Sequence, residues 1–358
     1  MNRIINKALF YKEWINVRWV TLLTIIVLLF FKVYGVISAL NREKMYETRQ
    51  GWVLPNRWFN NGLYRGDDHY SIYLFIMVIV VIILAITLFI GEKTSENQGF
   101  IASMPFTRKE IIFNKWLVGV VSLLIGFIVT YIFLSIFYVT NINDLNTTLN
   151  PYSDIVRWFF MDTFQYICIF TFIMLVQAVM GNSIVSGMVG GIILGVPIFI
   201  STVVQGLVMR NYHYDDLINI IFEKICYWIN IYSYNVAKQK SFYPNSAENI
   251  NQDYYQNFYY SNYKSKLLVL FLLTCLFLYL VNLAYKKRNI EYNLRLIAFK
   301  NLEPVFIGGV AICSGILVIA IKGIGNQRLS EFGIYFVIFT IIGYFISKLL
   351  LKGLSSKK

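Results

Sequence analysis

The residues from 72 to 90 read IYLFIMVIVVIILAITLFI, a run of nineteen residues without a charged side chain. A helix needs about 20 apolar residues to cross the hydrocarbon core of a bilayer, so this run predicts a transmembrane helix. Other runs of similar length and composition meet the same criterion and predict about eight spans in all. We place the spans at roughly 19–40, 72–90, 116–138, 164–182, 185–208, 267–285, 304–322 and 332–350.

The overall composition excludes a soluble protein. Of the 358 residues, 57% are hydrophobic and 14% are charged, and the mean hydropathy is +0.58. Soluble domains carry about 25% charged residues. The net charge is +13, but the basic residues form short patches between apolar runs, unlike the polar basic domains of nucleic-acid binders. The sequence therefore predicts an all-α polytopic membrane protein that binds no nucleic acid.

The loop charges predict the orientation of the chain in the membrane. An even number of spans places both termini on one side. The basic clusters at 286–288 and 357–358 are short and flank spans, where an excess of Lys and Arg marks the cytoplasmic side. Frequent Asn, Ile, Lys and Tyr indicate an AT-rich bacterial genome, so we expect a multi-pass protein of the bacterial plasma membrane with cytoplasmic termini. Lys32, near one end of the first span, is expected to snorkel.

Two segments outside the spans have helical character. Residues 1–18 predict an amphipathic helix at the membrane interface before span one. The outer loop 209–266 is long and rich in tyrosine, and within it residues 216–230 predict a second interfacial helix. The rest of this loop, about 235–265, is polar, which predicts a partly mobile segment. The apolar face of the N-terminal helix consists of Ile4, Ile5, Ala8, Tyr11 and Ile15.

The inner loop between spans two and three, residues 91–115, carries two capping boxes, in which a Ser or Thr is followed three residues later by Glu or Gln. Ser95 and Gln98 predict a short cytoplasmic helix, which Pro105 ends. Thr107 and Glu110 predict the start of span three. A short capped helix between two rigid spans is suited to transmit force to a soluble partner, and its apolar end would consist of Phe100, Ile101 and Met104.

Two of these stretches resemble ABC-2-type exporter permeases. Tyr11-Lys12-Glu13-Trp14 resembles the elbow helix of that family. The second stretch resembles the family's coupling region, which contacts the nucleotide-binding subunit. It comprises Glu92-Lys93, Gly99-Phe100, Ser103-Met104-Pro105-Phe106-Thr107-Arg108-Lys109-Glu110-Ile111 and Lys115. The resemblance covers the order of elements over roughly residues 1–285.

The resemblance implies an amphipathic elbow helix at 1–18 and a six-span permease core at 19–285. The chain departs from the family pattern by an enlarged outer loop before span six, a cytoplasmic basic linker at 286–303, and two additional spans with a basic tail at 304–358. The residues that the resemblance assigns to ATPase coupling are Glu92, Ser95, Gln98, Phe100, Ile101, Met104, Pro105, Thr107, Arg108 and Glu110.

Catalytic signatures are absent from the sequence. The stretch Gly91-Glu92-Lys93-Thr94 is not a phosphate-binding loop, because it lacks the first glycine and Glu separates Gly from Lys. HExxH and GxSxG motifs are missing as well. We therefore expect no catalytic residue, no metal site and no cofactor in this chain, with ATP and Mg bound by separate cytosolic P-loop ATPase subunits. Two outer clusters, Asp67-Asp68-His69 and His213-x-Asp215-Asp216, are interpreted as solvated loops, with a divalent-ion site as the alternative.

The fifth predicted span has an unusual pattern. Gly187, Gly191 and Gly195 recur every four residues and Pro197 follows. Small residues at this spacing permit close helix approach, and proline introduces a kink. This helix is therefore a candidate for a gate or for the interface between two permease copies, with packing inside one chain as the alternative. Elsewhere, Gln177 and Asn282 are expected to bond neighbouring helices or, alternatively, to line a pathway.

The function expected from these features is that of a permease subunit of an ATP-driven exporter. Two permease copies, or this chain and a sister permease, would pair in the bilayer and bind two cytosolic ATPases. The nearly charge-free spans favour an amphipathic or apolar cargo. By the resemblance, small peptides such as toxins or antimicrobial peptides come first, and lipids or drugs follow. The alternative is a membrane sensor or resistance subunit that recognises an envelope-active compound without transporting it.

Overall fold

The protein is described from a computed structural model, which covers residues 6–50, 58–64, 67–93, 106–143, 145, 147–211, 216–242, 255–288, 296–322 and 329–355. Over these residues the chain is mainly helical. The helices are α1 (Lys7–Leu28), α2 (Tyr34–Gln50), α3 (Trp58–Leu63), α4 (Asp67–Lys93), α5 (Arg108–Thr140), α6 (Ser153–Val179), α7 (Ser183–Asn211), α8 (Asp216–Ile229), α9 (Tyr263–Lys287), α10 (Glu303–Lys322) and α11 (Leu329–Ser355).

Within the described residues, seven helices are long and apolar enough to cross a membrane. They correspond to seven of the predicted spans. The remaining prediction, 304–322, coincides with α10, a 20-residue helix that is not among these seven. An all-α polytopic membrane protein is therefore confirmed, and the eighth span stays a prediction.

The N-terminal helix is not a separate element. Asn6 caps α1 by accepting a hydrogen bond from the amide of Ala8 at 3.0 Å, and the helix then continues to Leu28 without interruption. A short π-helical segment, Leu29–Val33, joins it to α2. Over residues 7–18 the structure therefore shows no break between the expected elbow helix and the first span, and the elbow helix stays a prediction. No Gly or Pro breaks this stretch, and Glu13 faces the bundle rather than the membrane surface.

The centre of the bundle is α6, which packs against α4, α5, α7 and α9. Its residues Trp158, Tyr166 and Phe170 are fully buried, so large aromatic side chains fill the space between helices. On one side, α1 packs against α4 and α5. A tight turn separates α6 from α7: α6 ends at Val179, α7 begins at Ser183, and the side chain of Asn182 accepts from the amides of Ile184 and Val185.

A small β-hairpin was not expected from the sequence. Strand β1 (Lys238–Phe242) pairs antiparallel with β2 (Tyr255–Tyr259), with Lys238 opposite Tyr259. Side chains alternate along β2, since Phe258 is 7% exposed and Tyr259 46%. The partial mobility expected of 235–265 stays a prediction, since these strands form only part of that segment, while the interfacial helix predicted at 216–230 corresponds to α8.

The last two helices pack mainly against each other. Gly343 of α11 meets Ser314 of α10, and Gly315 of α10 meets Thr340 and Phe336 of α11, so small residues allow close approach. Contact with the rest of the bundle is made chiefly by α10 on α7. These helices form an appendage to the bundle built from α1 to α9.

Candidate functional site

The amino-terminal end of the bundle is where α1 and α5 begin and α4, α6 and α9 end, and it contains the described part of the predicted coupling region. Thr107 caps α5: its Oγ1 accepts from the amide of Glu110 at 3.3 Å, and the Glu110 carboxylate accepts from the amide of Thr107 at 2.9 Å. The predicted capping box is therefore confirmed. Such a box satisfies two amides that the helix itself leaves unpaired, which fixes where α5 starts.

Three charged side chains from three helices meet just inside this cap. The Nζ of Lys115 in α5 lies 3.0 Å from Glu13 Oε1 of α1 and 3.2 Å from Glu92 Oε1 of α4, and it donates to the backbone oxygen of Leu88. We call Glu13, Glu92 and Lys115 the Lys115 triad. Lys115 is 1% exposed. Tyr285 of α9 donates to the second oxygen of Glu92 at 2.8 Å, so a fourth helix joins the network.

A second buried lysine links the other helices at this end. Lys93 Nζ, at the end of α4, donates to the backbone oxygen of Gln177 at 2.9 Å and to its Oε1 at 2.6 Å, and it lies 3.3 Å from Ser186 Oγ of α7. Gln177 Nε2 in turn donates to the backbone oxygen of Ser183 at 2.8 Å. Gln177 therefore bonds neighbouring helices, as predicted. Asn282 instead donates to Leu278 within its own helix at 2.9 Å.

Two arginines connect the start of α5 to the end of α9. Arg108 Nη1 donates to the backbone oxygen of Arg288 at 2.6 Å, and Arg288 Nη1 lies 3.5 Å from the backbone oxygen of Gln177. Burial lowers the pKa of Arg288 from its ordinary value, and the charge of Arg108 acts in the same direction, whereas Tyr285 and Glu92 act against it. All helices of the bundle that end here are therefore joined by polar contacts.

The predicted site residues fall into two groups. Glu92, Thr107, Arg108 and Glu110 lie together at this end of the bundle. Of the residues predicted in the N-terminal helix, Glu13 belongs to the Lys115 triad, Trp14 is half-buried, and Tyr11 and Lys12 are exposed. The coupling residues outside the described part of the chain are Ser95, Gln98, Phe100, Ile101, Met104 and Pro105.

Sequence reasoning missed Lys93, Lys115 and Arg288 as buried cations. A signal for Lys115 was available, because the apolar residues Ile111, Ile112 and Val118 recur on its face of α5 and are buried. A lysine on the buried face of a span requires a partner inside the bundle. The pattern does not say which partner, because Glu13 lies 102 residues away along the chain.

The opposite end of the bundle contains another buried polar network. Asp162 accepts from Tyr73 Oη at 2.7 Å, Trp158 Nε1 at 3.0 Å and Asn235 Nδ2 at 3.0 Å. Lys32, in the π-helical segment, lies 4.3 Å from the ring centroid of Tyr73 and donates to a backbone oxygen at 3.2 Å. The snorkelling expected of Lys32 is therefore wrong, because an aromatic ring and a carbonyl group hold its ammonium inside the protein.

The hairpin is anchored at this same end by Asn60 of α3. Its Oδ1 accepts from the amide of Phe258 at 3.0 Å, and its Nδ2 donates to Asp154 at 2.8 Å. Tyr64 donates to the backbone oxygen of Asp154 at 2.8 Å, and burial, followed by the charge of Asp154, raises the pKa of Tyr64 well above its ordinary value. Part of the outer loop is thus built into the protein core.

The glycine pattern of α7 faces α4 within the same chain. A Cβ added at Gly187 would lie 2.6 Å from Ile86, and one at Gly191 would lie 2.8 Å from Ile82. The backbone oxygen of Gly191 also accepts from Tyr232 at 2.6 Å. Close packing inside one chain therefore accounts for these two glycines. Gly195 lies one turn further along, near Tyr232, and Pro197 is inside the helix.

The two predicted outer clusters of Asp and His fall on side chains that the structure does not describe. Residues 213 and 215 lie outside the described residues, and so do the side chains at 67–69. Among the side chains that the structure does describe, no group of three His, Cys, Asp or Glu residues is arranged to hold a metal ion.

Long apolar helices held together at one end by buried ionic contacts define a multi-pass membrane protein. The family model described as ABC-2 family transporter protein matches residues 9–290, and the chain belongs to this family. The match runs from the first turn of α1 to just beyond Arg288, so α10 and α11 lie outside it. Comparison with curated proteins and with solved structures gave no match. Membership makes this chain the membrane-spanning subunit of an ABC transporter.

Proposed function

We propose that this protein is the permease of an ATP-driven exporter in the bacterial plasma membrane. Its amino-terminal end faces the cytoplasm and contacts separate P-loop ATPase subunits, which bind ATP and Mg. The observation that carries this proposal is the Lys115 triad beside the capped start of α5. It places rigid links between α1, α4 and α5 next to the segment whose sequence resembles a coupling region.

The contacts at this end explain how a force on one segment would reach several helices. Movement of Thr107 and Glu110 displaces α5, because the capping box fixes its first turn. Lys115 transfers this displacement to α1 and α4 through ion pairs of 3.0 and 3.2 Å. Lys93 transfers it from α4 to α6 and α7. Charge-assisted hydrogen bonds in a buried site are stronger than neutral ones, so the helices move together.

The cargo that this chain would move is amphipathic or apolar. The bilayer-facing helices present isoleucine, leucine and phenylalanine, and the buried charges of Lys115 and Asp162 already have partners in the protein. A small peptide, such as a toxin or an antimicrobial peptide, is the first candidate, and a lipid or a drug follows. Two permease chains, identical or sister copies, would enclose the pathway, with the Pro197 region of α7 as the candidate gate.

The experiment that tests this function is co-purification with P-loop ATPases from the same cell. The full chain is compared with a triple variant, Phe100→Ala, Met104→Ala and Arg108→Ala. A matched control, Ile136→Ala, Val139→Ala and Lys264→Ala, removes exposed side chains of similar kinds at the opposite end of the bundle. An ATPase that is retained by the wild type and the control, but lost by the first variant, supports the proposal. A wild type that retains no ATPase under mild extraction refutes it.

A sensor or resistance subunit is the second candidate, favoured by the large aromatic loop 209–266. The strands and Asn235 are part of the fold, so deletion of 235–265 would damage the protein core. Deletion of residues 243–254, between the strands, is the better test. If proteoliposomes containing the ATPases export a labelled peptide on addition of ATP, transport is supported. Binding of the labelled peptide without ATP-dependent export would favour the sensor function.

A further inference from the structure

Arg288 is a buried cation that forms no ion pair with the described residues. It directly follows α9 and is 7% exposed. Its Nη1 lies 3.5 Å from a single backbone oxygen, whereas its Nε and Nη2 have no hydrogen-bond partner. Among the described residues, none of the ion pairs that the structure forms involves Arg288. A buried charge without a partner is strongly unfavourable, so among the described residues Arg288 lacks an acceptor, which an external anion would supply.

The surroundings of Arg288 favour an anion as that acceptor. Arg108, which is exposed, reaches the backbone of Arg288 at 2.6 Å and so brings a second guanidinium group beside it. Lys286 and Lys287 precede Arg288 and are exposed. The carboxylate of Glu92 is already held by Lys115 and Tyr285. Among the described residues around Arg288, positive charge therefore exceeds negative charge.

The geometry of the free donors restricts the kind of anion. Nε and Nη2 occupy one edge of the guanidinium plane, and their N–H groups point in parallel. This edge matches two oxygens of one phosphate or carboxylate group. Arg108 begins one candidate span and Arg288 directly follows another, and the ends of spans are where we expect the phosphates of phospholipids.

We propose that Arg288 and Arg108 form a binding site for a phosphate group, supplied by the headgroup of an anionic phospholipid. The headgroup would complete the hydrogen bonding of Arg288 and sit between α5 and α9. This inference does not depend on cargo or on ATP hydrolysis, and it assigns lipid recognition to the same end of the bundle that carries the proposed coupling contacts.

The test uses the full chain in nanodiscs of phosphatidylcholine, with or without a fifth of phosphatidylglycerol, and measures the temperature of unfolding. Arg288→Gln removes the proposed ligand, and Arg288→Lys keeps the charge but loses the parallel donors. Lys287→Gln is the matched control, because it removes an adjacent exposed charge. A separate arm adds inorganic phosphate to the phosphatidylcholine nanodiscs. Native mass spectrometry of the same samples counts retained phosphatidylglycerol.

The wild type and Lys287→Gln should gain stability from phosphatidylglycerol, and Arg288→Gln should not. Apparent affinity for the lipid should fall about tenfold or more in Arg288→Gln, as expected from loss of charge-assisted hydrogen bonds. In phosphatidylcholine alone, whose headgroup carries no net charge, Arg288→Gln should be at least as stable as the wild type, because it removes a buried charge that no anionic headgroup neutralises. A ligand site therefore predicts that Arg288→Gln is no less stable than the wild type without phosphatidylglycerol but less stable with it. A variant that merely folds poorly would be less stable in both lipids.

Three other outcomes would decide the matter. Equal gains with inorganic phosphate in the wild type would support the phosphate site and identify soluble phosphate as a sufficient source. An unchanged lipid gain in Arg288→Gln and Arg288→Lys would overturn the proposal. The proposal would also be overturned if neither phosphatidylglycerol nor inorganic phosphate stabilised the wild type but an ATPase subunit did. The acceptor would then be an acidic side chain of that subunit.

Discussion

Replacement of Lys115 by methionine should destabilise the protein strongly. The substitution preserves length and apolar stem but leaves the carboxylates of Glu13 and Glu92 buried without their common cation. Both oxygens lie within 3.2 Å of Lys115 Nζ, and the Glu13 side chain is 3% exposed. Breaking a buried ion pair by removing one partner costs about 3–5 kcal/mol. The unfolding temperature of the detergent-solubilised chain should therefore fall by several degrees.

Lys12→Met is the control for this substitution, because Lys12 contacts the same oxygen of Glu13. The distance is 3.7 Å and the Lys12 side chain is 44% exposed. An exposed pair of this kind contributes about 0–1 kcal/mol, so Lys12→Met should leave the unfolding temperature nearly unchanged. The two variants remove the same charge next to the same carboxylate and differ in burial.

A third variant separates electrostatics from packing. Lys115→Met combined with Glu13→Gln and Glu92→Gln removes the unpaired charges, and the loss of stability should be largely recovered, because neutral replacements of buried ion pairs are often tolerated. If Lys115→Met and Lys12→Met unfold at the same temperature, the triad does not hold the helices together and the reasoning about force transfer is refuted.

Three further predictions test other contacts. Thr107→Ala should cost about 1 kcal/mol by loss of the N-cap of α5, whereas Thr107→Ser should behave as wild type in thermal unfolding. Asn60→Leu should cost about 1–3 kcal/mol and speed proteolysis between the hairpin strands, because it unpairs the amide of Phe258 and Asp154; the exposed Gln239→Leu should do neither. Gly187→Leu should cost about 1–3 kcal/mol through overlap with Ile86, and Gly308→Leu, where the added side chain meets open space, should leave the unfolding temperature unchanged; equal effects would contradict the packing of α7 on α4.

The sequence predicts the helices well because their signal is local. An apolar run such as 72–90 is sufficient to place α4, and the Thr107 capping box involves residues only three positions apart. The hairpin is different, since residues 243–254 between its strands carry no sequence pattern that predicts the pairing. Its anchor Asn60 is 198 residues from Phe258 along the chain.

The buried charges were missed for a related reason. A lysine near the end of a span is expected to reach water along its flexible stem, which is the rule that failed for Lys32. The rule considers one helix alone. In the assembled bundle, Tyr73 and a backbone oxygen contact the ammonium group of Lys32, just as Glu13 and Glu92 contact that of Lys115. Partners on other helices decide the outcome, and a single sequence does not display them.

The distribution of polar contacts favours a bundle that tilts rather than bends under a force at its amino-terminal end. At that end, Lys115 and Lys93 link α1, α4, α5, α6 and α7 by buried charge-assisted bonds. At the opposite end, Asp162 and Asn60 fasten the hairpin and the loop after α8 to α4 and α6. The π-helical segment Leu29–Val33 and Pro197, the proline inside α7, lie away from the amino-terminal links. Under the proposed function, a push from the ATPases would therefore turn the linked ends as one unit, and the relative movement of helices would concentrate around Pro197.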